Sequence, residues 1–301
     1  MTRYLGLDAG GSATRWTICD AAGRQLDAGS LAATSGHLFR HEEFARFVAM
    51  ADELAIKAGV VAGVLAGMTG LTAEAAEAVT AADILATALR LPAAAVAVHD
   101  DLWIAYHAVF PPGAGHVVYA GTGSIGLHIR ADGSMVRVGG RGMLIDDGGS
   151  AFWIGREALQ QVWRTRDARP DATSPLAEAL DAAVGGAGWD ATRAYVYGGS
   201  RADIAALAMT VAAADDAMAR DILTRAGHEL ARLAAALIDR AGIRPVALIG
   251  RAARLHPAIA DGFRAAAPGV AMHLAAVDAA LAAARLAAGR GAGQVGAHPA
   301  E

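Results

Sequence analysis

A chain of 301 residues with 30 acidic against 26 lysine and arginine side chains, for a formal net charge of −4, has no electrostatic footprint for nucleic acid and no lysine- or arginine-rich run. Its single cysteine, Cys19, excludes a disulfide framework and any multi-cysteine iron–sulfur or zinc site held by one chain, and fits a reducing cytoplasm. The mean hydropathy of +0.34 is mostly alanine; the uncharged stretch 58–73 is broken by glycines and threonines and is shorter than the ~20 residues a membrane span needs, and the N-terminus lacks the pattern of a secretory signal.

The length favours two domains. The chain opens on an apolar strand (Tyr4, Leu5, Gly6, Leu7) that reaches Asp8, a corner of small residues (Ala9, Gly10, Gly11, Ser12), and a β-rich return (Thr14, Trp16, Thr17, Ile18). Asp20–Arg24 is a turn and Gln25–Leu31 a third strand. A helix is expected over 41–59, with Phe44, Phe47, Val48, Leu54 and Ile56 at helical spacing, then a strand over Val60–Ala66. Thr72 is placed to cap an alanine-rich helix running to Leu89, and Ala94–His99 is a buried strand that delivers His99-Asp100-Asp101 at its carboxyl end. A helix of about ten residues then leads to Pro111-Pro112-Gly113, the best domain boundary.

The second half restarts in the same style. Gly115–Ala120 is a strand, Gly121–Gly126 a glycine turn, Leu127–Arg130 a returning strand and Val136–Val138 a third. Long helices follow, the clearest over Ile222–Ala241 and stopped by Gly242; Pro245–Ile249 is a strand feeding Gly250, and Ala275–Ala288 closes the chain as a helix. The expected fold is therefore a duplicated α/β unit with a cleft between the copies, divided into residues 1–110 and 113–280, with the helix at about 280–290 packing back on the first and a flexible tail over 289–301. The alanine-rich helices of the second half serve equally as a homodimer surface or as core.

Several segments carry chemistry. Around Gly10–Ser12, glycines let backbone N–H groups point into one concavity; the carboxylate of Asp8 at its lip suits a phosphate that arrives with a divalent metal. Gly121-Thr122-Gly123-Ser124-Ile125-Gly126 spells GxGxxG, but an alternating, turn-punctuated strand follows where a dinucleotide fold needs a helix, so the segment reads as a second hairpin of the first kind. Asp101, at a strand's carboxyl end, is placed to take a proton from an attacking hydroxyl; capping of the next helix is the structural alternative for Asp100 or Asp101. Gly139–Gly142 and Asp146–Ser150 are dense in glycine ahead of an apolar helix, which points to close approach of a ligand, with Ser150 or Asp147 as the helix cap. His99 reads as a buried polar residue.

On these residues the chain resembles the N-acetylglucosamine and glucosamine kinases of the BadF/BadG/BcrA/BcrD ATPase family, within the actin/hexokinase/Hsp70 superfamily, over about residues 4–288. Leu7–Arg15 resembles the phosphate-1 hairpin, His99–Ala108 the segment with the catalytic aspartate, Ala120–Gly126 phosphate-2, Val138–Gly155 a glycine-rich segment beside the sugar, and Val246–Leu255 the adenosine segment. The resemblance implies two RNase H-like, actin-like ATPase domains around a nucleotide cleft, with ATP and Mg²⁺ as cofactors and phosphorylation of a sugar's 6-hydroxyl in the cytoplasm. It implies Asp101 as general base and Asp8 as the Mg²⁺ residue, acting through water. Gly10, Gly11, Ser12, Thr14, Gly121, Thr122, Gly123 and Ser124 would hold phosphates, and Gly250 and Arg251 the adenosine. Thr69, Gly70, Asp101, Gly140, Arg141 and Asp147 would meet the sugar, with Ser35–His37 near it.

The chain departs from the family pattern at Ala13, where lysine is frequent, at Asp146 and Gly148, where glycine and glutamate are usual, and at Arg251, which follows Gly250 in place of a second glycine. Two other readings compete. An ATPase activator of an acyl-CoA dehydratase or reductase needs cluster-ligating cysteines, of which there is one. A non-catalytic sugar or nucleotide sensor of the repressor kind needs a basic DNA-binding module, and the chain has no basic patch.

Overall fold

The computed structural model describes residues 1–10, 13–34, 36, 38, 40–71 and 74–291. Of the residues singled out above, Gly11, Ser12, Ser35, His37, Thr72 and the tail from 292 lie outside the described residues. The chain divides into two compact units, Met1–Val109 together with the stretch from Val277, and Phe110–Ala276.

In the first unit β1 (Arg3–Ala9), β2 (Thr14–Asp20) and β3 (Gln25–Leu31) form an antiparallel meander, followed by α1 (His41–Ala58), β4 (Gly63–Met68), α2 (Ala76–Leu89), β5 (Val96–Asp100) and α3 (Asp101–His107). The sheet order is β3-β2-β1-β4-β5, with β4 parallel to both β1 and β5. The central strand β1 buries Leu5, Leu7 and Ala9, whereas the edge strand β3 buries only Leu31. The β2–β3 turn is set by the Asp20 carboxylate, whose Oδ1 accepts from the amides of Ala22 and Arg24 at 2.9 Å each.

The second unit repeats this order. Its strands are β6 (His116–Ala120), β7 (Ser124–Ile129) and β8 (Met135–Gly139). Five helices follow: α4 (Ala151–Ala168), α5 (Pro175–Val184), α6 (Trp189–Gly198), α7 (Arg201–Ala213) and α8 (Ala217–Ala241). Then come β9 (Val246–Ile249), α9 (Pro257–Ala266) and β10 (Met272–Leu274). Counted from its own first strand, the sheet β8-β7-β6-β9-β10 has the order of the first sheet, and β9 is parallel to both its neighbours. Both sheets are therefore mixed, with helices as crossovers, in an α/β fold.

The last helix, α10 (Ala279–Gly291), packs on β1 and β4 of the first unit. Its alanines Ala280, Ala283, Ala284 and Ala287 are buried, and they let the helix backbone come so close to β1 that a Cβ at Gly6 would overlap the Ala280 carbonyl oxygen and the Ala284 amide nitrogen.

Several sequence expectations shift. β4 starts at Gly63 and runs through Gly67 to Met68, leaving Val60 88 % exposed, because its register is set by pairing with β1. α2 begins at Ala76 with no side-chain cap. Ala93–Ala95 form a short 3₁₀ turn ahead of β5, and α3 is seven residues long. α1 turns Phe47, Met50 and Leu54 inward and Ile56 outward. Gly289–Gly291, expected in the tail, belong to α10. Many alanines of the second unit's helices, among them Ala208, Ala226 and Ala234, are core. α6 buries none of its residues and exposes Trp189 and Tyr197 against Arg193, whose guanidinium lies 4.6 Å from each ring.

Buried His116, packed against His128, gives the second unit a pH-dependent stability. His116 and His128 meet edge to face with ring centroids 4.8 Å apart. His116 Nε2 donates to the Gly242 carbonyl at 2.9 Å, and its buried Nδ1 has no hydrogen-bond partner among the described residues. Burial, opposed by the Gly242 bond and aided by the nearby His128 and Arg244, pushes the His116 pKa down. The unfolded chain then takes up a proton near pH 6.5 before the folded one does, so stability falls as pH drops below that value and levels off below the folded pKa. Melting measured at pH 7.5 and 5.5 is expected to show a smaller fall for His116→Gln than for the wild type. Equal falls would assign the pH dependence elsewhere.

Candidate active site

In the first unit, three elements bring Asp8, Thr69 and Asp101 into one region. Asp8 sits on β1 next to the hairpin corner, where Gly10 N donates to the Ala13 carbonyl at 3.2 Å. Thr69 and Gly70 follow β4, tied to β1 by the Thr69 amide donating to the Ala9 carbonyl at 3.0 Å. Asp100 and Asp101 end β5 and begin α3.

The two aspartates divide the roles between them. Asp100 is the helix cap, its Oδ1 accepting from Leu102 N at 2.7 Å. Asp101 Oδ1 accepts from the same amide at 2.8 Å, while its Oδ2 accepts from the Thr69 hydroxyl at 2.6 Å. One hydrogen bond on each oxygen fixes the plane of a half-buried carboxylate and leaves it lone pairs with which to accept a proton. Thr69, expected at the sugar, thus orients Asp101. His99 stacks on Trp103 at 4.1 Å between centroids, as a packed ring.

Asp8 is in a different electrostatic position. Burial raises its pKa, and the nearby carboxylates of Asp101 and Asp278 raise it further; Arg15, with Nη1 3.6 Å from Asp8 Oδ2, acts in the opposite sense. Asp278, which the sequence reading did not single out, caps α10 by accepting from Leu281 N at 2.9 Å. A partly buried carboxylate among like charges is a hard oxygen donor that an added cation would relieve. Among the described residues no group of three His, Cys, Asp or Glu is close enough to hold a metal by itself. A divalent ion here would take its remaining ligands from water or phosphate, as Mg²⁺ does. The residues fit it. The Thr14 hydroxyl, expected at phosphate, is buried and lies 3.2 Å from that of Thr34.

In the second unit the segment Gly121–Ser124 is the β6–β7 hairpin, with Gly121 N donating to the Gly123 carbonyl at 2.9 Å; a strand follows, as expected. Thr122 is exposed at its tip. Ser124 is buried and braces the hairpin: its hydroxyl donates to the Gly148 carbonyl at 2.7 Å. Ala151 N at the start of α4 donates to the Gly121 carbonyl at 2.9 Å.

The glycine-rich segment runs beside this hairpin, and Gly140 N donates to the Ser124 carbonyl at 3.0 Å. Arg141 is exposed. Asp147, expected at the sugar, is 2 % exposed; its Oδ2 accepts from Arg201 at 2.5 Å and its Oδ1 from Ser124 N at 3.4 Å, so the structure turns it inward as a brace. Ser150 caps α4. Beside Gly148 the space a side chain would fill holds the Glu229 carboxylate, and Arg232 bridges Glu229 and Asp146 at 2.9 Å to each. Gly250 has φ 96°, and a Cβ there would overlap the Ala120 carbonyl, so glycine is required by the packing of β9 on β6. Arg251 is exposed at the start of a short 3₁₀ turn.

The model of the BadF/BadG/BcrA/BcrD ATPase family matches residues 5–280. The chain is 27 % identical to a proposed N-acetylglucosamine kinase from Chromobacterium violaceum, covering 95 % of this chain and 99 % of that one with a TM-score of 0.73. A second proposed N-acetylglucosamine kinase, from Porphyromonas gingivalis, superposes with a TM-score of 0.76 at 16 % identity, covering 96 % and 99 % of the two chains. A ROK family glucokinase from Streptomyces griseus, solved with glucose and AMPPNP, gives 0.58 at 18 % identity over 94 % and 98 %. The last two establish a shared fold alone. No curated protein matches the chain.

Proposed function

Because the chain belongs to the BadF/BadG/BcrA/BcrD ATPase family, we propose that it is an ATP-dependent kinase that phosphorylates an amino sugar, N-acetylglucosamine or glucosamine, at the 6-hydroxyl. The observation that carries this reading is Asp101. A carboxylate at the carboxyl end of a parallel strand, with each oxygen held by one donor, is oriented to accept the proton of a sugar hydroxyl as that oxygen attacks the terminal phosphorus of ATP. The reaction breaks the bond between the β–γ bridging oxygen and the γ-phosphorus, releasing ADP and leaving the phosphoryl group on the sugar.

The other residues divide the remaining tasks. Backbone amides at the two hairpins, around Gly10 and at Thr122-Gly123, bind phosphate oxygens. Thr69 keeps Asp101 turned toward the acceptor. Asp8 would hold Mg²⁺, which would supply charge neutralisation on the phosphates. Gly140 and Arg141 meet the sugar, and Gly250 and Arg251 lie along the adenosine. Use of ATP and a free sugar as substrates supports action in the cytoplasm.

Choice among N-acetylglucosamine, glucosamine and glucose turns on the substituent at C2, for which a pocket change of one methyl group is worth roughly 10–200-fold. The likeness to the Chromobacterium violaceum protein supports N-acetylglucosamine. ADP release from Mg-ATP with each sugar in parallel tests the reading. Release that depends on an amino sugar is expected; ATP turnover indifferent to every sugar would overturn it.

A further inference from the structure

We infer that Arg201 is a phosphate-contacting residue, its guanidinium donating to the terminal phosphates of the nucleotide at the β6–β7 hairpin. The inference rests on the kinase reading above and adds a side chain that no motif in the sequence points to. Arg201 is the first residue of α7, whose opening turn is fixed by a capping box: Asp203 Oδ2 accepts from Ser200 N at 2.6 Å while Ser200 Oγ accepts from Asp203 N at 3.4 Å. From there the side chain reaches Asp147, to which Nη2 donates at 2.5 Å.

The pair is built against the hairpin. Asp147 is 2 % exposed and has φ 63°, a left-handed conformation uncommon outside glycine, which surrounding bonds must hold in place. Its Oδ1 accepts from Ser124 N, and its carbonyl accepts from Ser150 N. At Gly123 a Cβ would overlap Arg201 Nη2, so the turn's glycine is the space in which the guanidinium lies.

Only one edge of the guanidinium is used. The Arg201 side chain is 39 % exposed, and its Nε and Nη1 make no hydrogen bond or ion pair among the described residues. An arginine serving only to neutralise a buried carboxylate is best satisfied by a bidentate pair, as Arg166 and Asp181 form in the same unit at 2.9 and 2.6 Å. Arg201 instead meets Asp147 through Nη2 alone, the nitrogen that lies against Gly123 of the hairpin, and leaves Nε and Nη1 free to donate to phosphate oxygens.

Titration calorimetry with Mg-ATP and with adenosine separates contact from bracing. Arg201→Gln is expected to weaken Mg-ATP by about 10–100-fold and leave adenosine within about two-fold. Arg201→Lys, which keeps the charge without the fork, should fall between, and it stands in if the glutamine variant does not fold. Asp147→Asn, which keeps the arginine, should cost Mg-ATP less than Arg201→Gln. Equal losses for Asp147→Asn and Arg201→Gln on both ligands, or no loss for either arginine variant, would overturn the inference. A wild-type protein that binds no Mg-ATP would instead overturn the kinase reading beneath it.

Discussion

Asp101→Asn is expected to lower sugar-dependent ADP release by about 10²–10⁴-fold, the usual contribution of a positioned general base. The substitution is nearly isosteric, and the Leu102 amide still finds an acceptor in the new side-chain oxygen. What disappears is the carboxylate that takes the proton. The Thr69 hydroxyl, which donates to Asp101 Oδ2 at 2.6 Å, would face an amide nitrogen and must turn to accept from it. Because neither change touches a hairpin amide, Mg-ATP binding measured by calorimetry should stay within a few-fold of wild type while turnover collapses. Thr69→Val leaves the base in place but frees its orientation, so its loss should be smaller and fall mainly on kcat. Turnover in Asp101→Asn within ten-fold of wild type would remove Asp101 from the base role.

The contrast between what was and was not readable follows from the range of each interaction. The β1–β2–β3 meander was legible because each turn carries its own chemistry within a few residues: Asp20 bonds the amides of Ala22 and Arg24, and the glycine corner lies between two alternating runs. The duplication was legible for the same reason, since Gly121–Ser124 and the turn at 131–134 repeat the pattern. The start of α2 was not, because Ala75 and Ala76 carry no capping side chain in a run of alanines. β10, at three residues, is too short for a period of two to register.

The positions of Asp8 and Asp101 were legible, because each follows an apolar run within a few residues. The site was illegible where the partner comes from far along the chain. Arg201 lies 54 residues from Asp147, and Asp278 caps the last helix but acts on the charge of Asp8 in the first strand. The bonds within 121–150 turned Ser124 and Asp147, two residues with polar side chains that read as ligand contacts, into braces of the loop that carries them. Short-range spacing reports that a loop is special; it does not report which of its polar groups face outward.

Asp8→Asn should make the free protein more stable and the enzyme worse. Burial and the neighbouring Asp101 and Asp278 charges hold the folded pKa of Asp8 above its ordinary 3.8, with Arg15 only partly offsetting them. Below 3.8 both states are protonated and Asp8 costs nothing. As pH rises from there to the folded pKa, the unfolded chain ionises first and stability is lost, and the penalty is complete above the folded pKa. Asparagine carries no such penalty, so apo Asp8→Asn is expected to melt above wild type at pH 7 and to converge with it toward pH 4. With Mg-ATP the order should reverse. The wild type gains stability by mass action as the ion relieves the carboxylate, whereas the variant gains less and turns over about 10–100-fold more slowly, the usual cost of removing a group that orients a metal's ligands. Thermal melts of both proteins, with and without Mg-ATP at pH 7 and 4.5, read each limb separately. An apo variant that melts below wild type at pH 7 would show that the Arg15 ion pair outweighs the like-charge strain, and an undiminished Mg-ATP shift would take the ion away from Asp8.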